Sequence, residues 1–497
     1  MLVVKKYNEA KVYVESDDYG ILRELYEYFS FYADGYKFMP AYRNKLWNGK
    51  IYLFDLRTQL LPYGLLKRLY DFAKERNYEL TYGDEFKERC IDSKDTLNEF
   101  IDNLSLIDGK ISIRDYQRDA VIHAAQNQRT ILLSPTASGK SLIIYSLIRY
   151  YLECDTSKSV LVIVPTTSLV EQMYKDFDTY SSGDNEFDAA AQVHKIYSGK
   201  EKFDFTSSIV ITTWQSAIKL PVSWFENYGM VIGDEAHTFK AKSLTTIMNR
   251  LSNAEYRIGT TGTLDNSLAN QLTLEGNFGP SYEVTSTKKL IDESTLASLE
   301  ISMLVLDYKD EYKQLVSKMK YQDEIDFIVS YEPRNRFITN LTCSQKGNTL
   351  ILYTLVEKHG KPLHQMIMDK VKDTNRKVFF ISGAVSAEER EKVREITEKE
   401  KDAIIVASSG TFSTGINIVN LNNIIFASPT KSQIRVLQSI GRGLRKSQNG
   451  MGTKVFDIAD KLSWKKKSNY TLNHAIERVK IYAKQQFTYS TYEIELS

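Results

Sequence analysis

The stretch Ser134-Pro135-Thr136-Ala137-Ser138-Gly139-Lys140-Ser141 constrains this chain more than any other. It follows the apolar run Ile131-Leu132-Leu133 and precedes a segment, Leu142 to Leu152, with apolar residues at helical spacing. Strand, tight loop and helix in that order form the context that a phosphate-binding loop requires. Backbone N–H groups of such a loop, with the first turn of the helix, present partial positive charge to an anion. Thr136, Ala137, Ser138 and Gly139 would line the phosphates. Lys140 can reach the β- and γ-phosphates, and the Ser141 hydroxyl can ligate Mg²⁺. Ser134 stands where GxxxxGK[ST] has its first glycine. An ordinary strand-to-helix turn containing Gly-Lys-Ser is the alternative at this point.

A second element reinforces the phosphate reading. Gly229-Met230-Val231-Ile232-Gly233 reads as a buried strand ending at Asp234-Glu235-Ala236-His237. An acid at the carboxyl end of a neighbouring parallel strand can share the Mg²⁺ of Ser141. A second carboxylate beside it, Glu235, can orient and deprotonate a water. The competing reading is a solvated acidic turn. Together the two elements describe an engine that hydrolyses a nucleoside triphosphate, with ATP and Mg²⁺ as the expected ligands.

At 497 residues the chain exceeds one ordinary core, so two to four domains are expected. Its 42% hydrophobic and 26% charged content suits a soluble globular protein. Three scattered cysteines, Cys90, Cys154 and Cys343, suit neither a disulfide framework nor a zinc site. No apolar run approaches the roughly 20 residues that span a bilayer, and the first residues lack a signal-peptide pattern. The expectation is a cytoplasmic enzyme, in the host cytoplasm if phage-encoded, with no membrane partner.

Residues 1–100 read as a small α+β domain with DNA-binding or accessory character. Between Lys37 and Arg68 the basic residues Lys37, Arg43, Lys45, Lys50, Arg57, Lys67 and Arg68 face only Asp55, and Tyr36, Phe38, Tyr42, Trp47 and Tyr52 are interleaved. Basic charge supplies phosphate affinity and aromatic rings stack on unpaired bases. Arg43, Lys45, Trp47 and Lys50 are therefore candidate DNA contacts. Equally, the aromatics could be core and the cations a solvated face, with Trp47 part of a turn.

Residues 101–285 alternate short apolar strands with helix-length segments, the pattern of a parallel α/β sheet with ligands at the strand carboxyl ends. Residues 286–345 read as a connector with helical character. A second regular α/β region follows at 346–460, without a phosphate loop of its own. The last segment, 461–497, is a basic tail or helix carrying Lys461, Lys465, Lys466, Lys467, Arg478, Lys480 and Lys484.

Taken in order, these motifs resemble those of superfamily 2 helicases, whose motors have two tandem RecA-like domains. Within that group the chain looks most like the phage UvsW-type branch-migration family, which also has a small N-terminal domain. The resemblance implies roles for further residues. Tyr116 and Gln117 would stand on the adenine side of ATP. Pro165 and Thr166, with Thr213, Trp214 and Gln215, would touch a DNA strand. His237, Thr261 and Thr263 would couple hydrolysis to domain movement. Thr411 and the following Gly415 and Asn417 would form the second domain's DNA- and nucleotide-linked loop. Gln438-Ser439-Ile440-Gly441-Arg442-Gly443-Leu444-Arg445 matches QxxGRxxR, so Arg442 and Arg445 would face the γ-phosphate, with Gln438 a further catalytic candidate. The implied activity is ATP-dependent remodelling of branched DNA: forks, four-way junctions and R-loops. Implied partners include recombination or single-strand-binding proteins, and a monomer is favoured. An RNA-directed helicase, a nucleotide-gated clamp and a restriction-type translocase subunit are the alternatives.

Overall fold

The computed structural model describes residues 1–496 except 87–91, 108, 155–156, 198, 200–205, 265–266, 412–419, 430–431 and 445–451, with the side chains of 387, 433–435 and 442 also outside the description. The described residues form two compact units, one of Met1–Ser134 with Gly139–Val284 and the other of Thr285–Ser497 with Pro135–Ser138.

The first unit opens with a small mixed sheet. Strands β1 (Leu2–Lys6) and β2 (Lys11–Glu15) pair antiparallel. A hairpin of β3 (Ser30–Tyr32) and β4 (Lys50–Tyr52) stands beside it, and β5 (Leu60–Pro62) and β6 (Leu80–Tyr82) complete the sheet in the order β5-β2-β1-β6. Helices Tyr19–Tyr28 and Leu66–Glu75 cover it, each burying one apolar stripe (Ile21, Leu22 and Leu25; Leu69, Phe72 and Ala73). Leu272 of helix Leu268–Phe278 packs into this same small core, so the N-terminal layer is fastened to the larger sheet that follows. Gly64 makes that approach feasible: a Cβ there would overlap the carbonyl of Glu275. Arg68 donates two bonds of 2.8 Å to the Glu275 carboxylate. Glu9 and Arg129 form a buried ion pair at 2.6 Å.

The larger sheet of this unit is wholly parallel. Its strands are β7 (Arg129–Leu133), β8 (Ser159–Val164), β9 (Val193–Ile196), β10 (Ile209–Thr213), β11 (Tyr228–Asp234), β12 (Tyr256–Thr261) and β13 (Ser281–Glu283). Among the described residues their order is β13-β7-β12-β11-β8-β10-β9. Central strands such as β11 are buried along their whole length, the expected condition when helices lie on both faces. On one face Leu161, Val231, Phe239 and Phe278 belong to a single apolar core.

The second unit has its own parallel sheet, ordered β16-β17-β15-β18-β19-β14-β20. The strands are β14 (Leu299–Asp307), β15 (Thr349–Tyr353), β16 (Val378–Ile381), β17 (Ile404–Ser408), β18 (Asn423–Phe426), β19 (Thr453–Lys461) and β20 (Tyr489–Glu495). Two tandem parallel sheets preceded by a small mixed layer match the expected RecA-like architecture. Two details differ from the sequence reading. The stretch read as a connector with helical character carries helices Asp310–Val316, Tyr321–Ser330 and Glu332–Ser344, but it also contributes β14, paired with β19 over nine residues. The stretch read as a basic tail or helix contains helix Tyr470–Lys484 and adds edge strand β20, which that reading did not include. Arg478 in that helix is buried on the Asp457 carboxylate, 2.6 Å away, and Lys461 pairs with Glu493. Part of the positive charge seen in the sequence is therefore neutralised within the fold.

Candidate active site and nucleic-acid surface

Three motifs reach one edge of the first parallel sheet because β12 lies between β7 and β11. The phosphate loop leaves β7, the acidic pair ends β11 and Thr261-Gly262-Thr263 ends β12. Hydrogen bonds tie them together. Ser134 N–H donates to the Thr261 carbonyl at 2.9 Å, and Thr260 Oγ1 donates to Asp234 Oδ1 at 2.8 Å. Carboxyl ends of parallel strands are where such sheets bind ligands.

The loop has the backbone its role needs. Ala137 and Gly139 have φ of 66° and 81°, and a Cβ on Gly139 would strike the Gln117 amide as well as straining the backbone. Ser138 Oγ donates to the Pro135 carbonyl at 2.7 Å. Lys140 opens helix Lys140–Cys154 and its Nζ donates to the Ser134 carbonyl at 3.3 Å. Ser134, in the first-glycine position, is buried and supplies that acceptor through its backbone. Thr136 lies in the same loop.

The acidic pair is shaped by burial. Asp234 is 7% exposed, and burial, then the Glu235 carboxylate, push its carboxyl pKa up, while Lys140 and the Thr260 hydroxyl pull it down. Glu235 is held at φ 52°, a left-handed conformation that costs energy for a non-glycine residue and clusters at functional sites. His237 Nδ1 lies 3.3 Å from Glu235 Oε2 and 3.0 Å from Thr261 Oγ1. The Thr263 carbonyl accepts from Thr261 Oγ1 at 3.0 Å. His237, Thr261 and Thr263 thus form one chain running from the acid to the end of β12. A buried carboxylate and a serine hydroxyl are hard oxygen donors, which fit Mg²⁺, an ion that fills its remaining positions with waters and phosphate. No group of three or more His, Cys, Asp or Glu arranged to hold a metal occurs among the described residues.

The other expected site residues vary in placement. Tyr116 and Gln117 are buried in helix Asp115–Asn127. Tyr116 accepts from Arg114 at 2.9 Å, and Gln117 Oε1 accepts from the Arg114 N–H at 3.0 Å, so both organise the start of that helix. Pro165 follows β8 and Thr166 caps helix Thr167–Tyr180, accepting from Leu169 N–H. Thr213 is buried at the end of β10 and bonds Ser216. Trp214 packs against the sheet's core, whereas Gln215 is exposed. In the second unit Thr411 accepts from Ser408 Oγ at 2.7 Å. Gln438 lies in helix Gln433–Gly443, whose Gly443 carbonyl accepts from Thr453 Oγ1 at 2.6 Å. The Arg442 side chain, Arg445, Gly415 and Asn417 lie outside the described residues, as does Cys90. Sequence reasoning missed Thr260 and Tyr180, whose phenol is 2.9 Å from Ser141 Oγ. Neither belongs to a quoted motif; only the sheet order and helix packing bring them in.

The basic-aromatic stretch divides into support and surface. Tyr36 stacks on Tyr32 at 4.6 Å and meets Tyr42 edge-on at 4.8 Å. Tyr52 stacks on Tyr26, and the Trp47 indole donates to the Lys50 carbonyl at 2.8 Å. Lys50 pairs with Glu27 at 3.0 Å, and Arg68 is spent on Glu275. What remains outward is an open recess of ≈ 790 Å³ lined by Lys37, Tyr42, Arg43, Lys45, Leu46, Trp47 and Asn48, all drawn from one short stretch of the chain. Phe38 and Leu46 are 76% and 81% exposed, unusual for large apolar side chains set among cations.

Known family models match successive parts of the chain. Residues 2–83 match the model "DNA helicase UvsW, N-terminal", 110–266 match "Type III restriction enzyme, res subunit", and 333–447 match "Helicase conserved C-terminal domain". The ATP-dependent DNA helicase uvsW of Enterobacteria phage T4 is 36% identical over 484 residues, covering 94% of each chain. The crystal structure of T4 UvsW aligns over 100% of both chains with a TM-score of 0.53 and 32% identity. The DNA 3'-5' translocase XPB2 of Sulfurisphaera tokodaii is 23% identical over 408 residues, 76% of this chain and 87% of its own. The full-length match, spanning the small N-terminal layer and both parallel sheets, places this chain in the UvsW family of superfamily 2 ATP-dependent DNA helicases.

Proposed function

We propose that this chain couples ATP hydrolysis to the remodelling of branched DNA: fork regression, branch migration of four-way junctions and opening of D-loops or R-loops. The observation that carries the reading is the convergence of the phosphate loop, Asp234-Glu235 and Thr260-Thr261 on adjacent strand ends, linked by the Ser134–Thr261 and Thr260–Asp234 bonds. In this reading the loop from Thr136 to Ser141 binds the triphosphate, and Lys140 neutralises the β- and γ-phosphates. Glu235 orients the attacking water and takes its proton. Ser141 and Asp234 would hold Mg²⁺, which when bound would supply charge stabilisation to the phosphates. Arg442 and Arg445 stabilise charge on the transferring phosphoryl group, a contribution of about 10³ to 10⁵ in rate in other nucleoside triphosphatases. Tyr116 and Gln117 are assigned to the base side, and Gln438, Gly415 and Asn417 are assigned as further nucleotide-linked residues. His237 relays the state of Glu235 to Thr261 and Thr263. Pro165, Thr166, Thr213, Trp214, Gln215 and Thr411 track one strand, largely through its phosphates.

The preference for branches is assigned to the N-terminal recess. Lys37, Arg43 and Lys45 offer phosphate contacts, and the outward Phe38 and Leu46 offer apolar surface to bases unstacked at a junction. Trp47 and Lys50 hold the hairpin that presents them. The test is a strand-exchange assay on a labelled four-way junction with ATP and Mg²⁺. The intact chain is expected to convert the junction into duplex products. Lys140→Ala is expected to lose conversion by about 100-fold or more while still retarding the junction in a gel. Conversion by Lys140→Ala at the wild-type rate would refute the site.

A further inference from the structure

Tyr180 lies outside every motif of the motor, yet its phenol is 2.9 Å from the hydroxyl of Ser141. The placement is built rather than incidental. Tyr180 ends helix Thr167–Tyr180, which packs along helix Lys140–Cys154. Its ring meets Tyr145 edge-on, with centroids 5.5 Å apart. Tyr145 is buried and packs in turn against Phe177 at 5.6 Å. The Tyr180 carbonyl accepts from the Ile107 N–H at 3.1 Å. Ring and backbone are therefore both held, which fixes where the phenol oxygen can be.

The chemistry at Ser141 gives that neighbour a purpose. A serine hydroxyl has one proton and two lone pairs. If a lone pair faces a cation, the proton must point away from it and needs an acceptor. A neutral phenol oxygen at 2.9 Å is such an acceptor. We propose that Tyr180 is a positioning residue for the metal: it accepts the Ser141 proton and so fixes the hydroxyl with a lone pair toward the nucleotide-bound divalent cation. Without it, the hydroxyl rotates among staggered positions, of which only some present a lone pair. The proposal rests on the assignment of Ser141 to Mg²⁺ made above.

The experiment uses the full chain and a fluorescent, non-hydrolysable ATP analogue, titrated with MgCl₂ and separately measured in excess EDTA. Tyr180→Phe keeps the ring and removes only the oxygen. It is expected to raise the Mg²⁺ concentration at half-maximal binding by about 3- to 10-fold, the worth of one hydrogen bond, with affinity in EDTA and the thermal unfolding midpoint unchanged. Ser141→Ala is expected to raise it further, and Tyr180→Phe added to Ser141→Ala to do nothing more, since the two act through one bond. A Mg²⁺ midpoint equal to wild type in Tyr180→Phe, alongside a shifted Ser141→Ala, would overturn the role of Tyr180 alone. An unshifted Ser141→Ala would overturn the metal assignment beneath it.

Discussion

At Asp234 two demands meet in the proposed site: a carboxylate that is to hold a cation must be charged, yet its surroundings exclude water. The fold meets them with nearby partners, the Thr260 hydroxyl and the Lys140 ammonium. His359, in the second unit, meets burial the opposite way. Its imidazole is fully buried with Nδ1 3.0 Å from Ser428 Oγ, and burial, then the Arg334 guanidinium, push its pKa well below the ordinary value. The sign of the resulting pH dependence follows. Below about pH 6.5 the unfolded chain takes up a proton at this site that the folded chain refuses, so stability falls as pH drops from there toward the folded pKa. The slope from this group approaches about 1.4 kcal/mol per pH unit. Denaturant titrations between pH 7 and 5.5 are expected to show a shallower decline for His359→Gln than for the intact chain. Parallel declines would contradict the assignment.

Among elements, helix Tyr470–Lys484 shows how the second unit closes. Glu324 is buried at its start and accepts from the N–H groups of Tyr470 and Thr471 at 3.0 and 2.7 Å, where a carboxylate satisfies orphan donors and complements the helix dipole. Farther along, Arg478 and Tyr482 both bond Asp457 on β19. Arg478→Ala would strand a buried carboxylate, an expected loss of about 3–5 kcal/mol in urea unfolding; a loss under about 1 kcal/mol would show that the pair is dispensable. Such an anchor is hard to read from sequence, where Arg478 looks like one more cation of a basic tail. Strand β14 was hidden differently, by a Ser-, Thr-, Lys- and Glu-rich neighbourhood. Strand β20 is mostly exposed and is held by its ladder to β14, so it leaves no apolar periodicity to detect. The strands that bear the site were legible because they are short apolar runs followed at once by chemistry: Leu133 by the phosphate loop, Gly233 by Asp234-Glu235. Contacts between distant segments, such as Ser141 with Tyr180, carry no such local signature.

For the whole molecule, the fastening of the N-terminal layer to the first parallel sheet is the feature with functional weight. Gly64, Arg68 and Glu9 join it to residues of the motor sheet and its helix, and Asn270 donates to Asp34 at 3.2 Å, close to the basic recess. The basic recess proposed to select branched DNA is thereby carried on the same body as Lys140 and Asp234. Turnover at the nucleotide is thereby expected to depend on the shape of the DNA. The most direct test is steady-state ATP hydrolysis by the intact chain with Mg²⁺, across linear duplex, forked duplex and four-way junction at equal nucleotide concentration. The expected result is greater stimulation by fork and junction than by linear duplex. Equal turnover on all three, or turnover indifferent to any DNA, would contradict it.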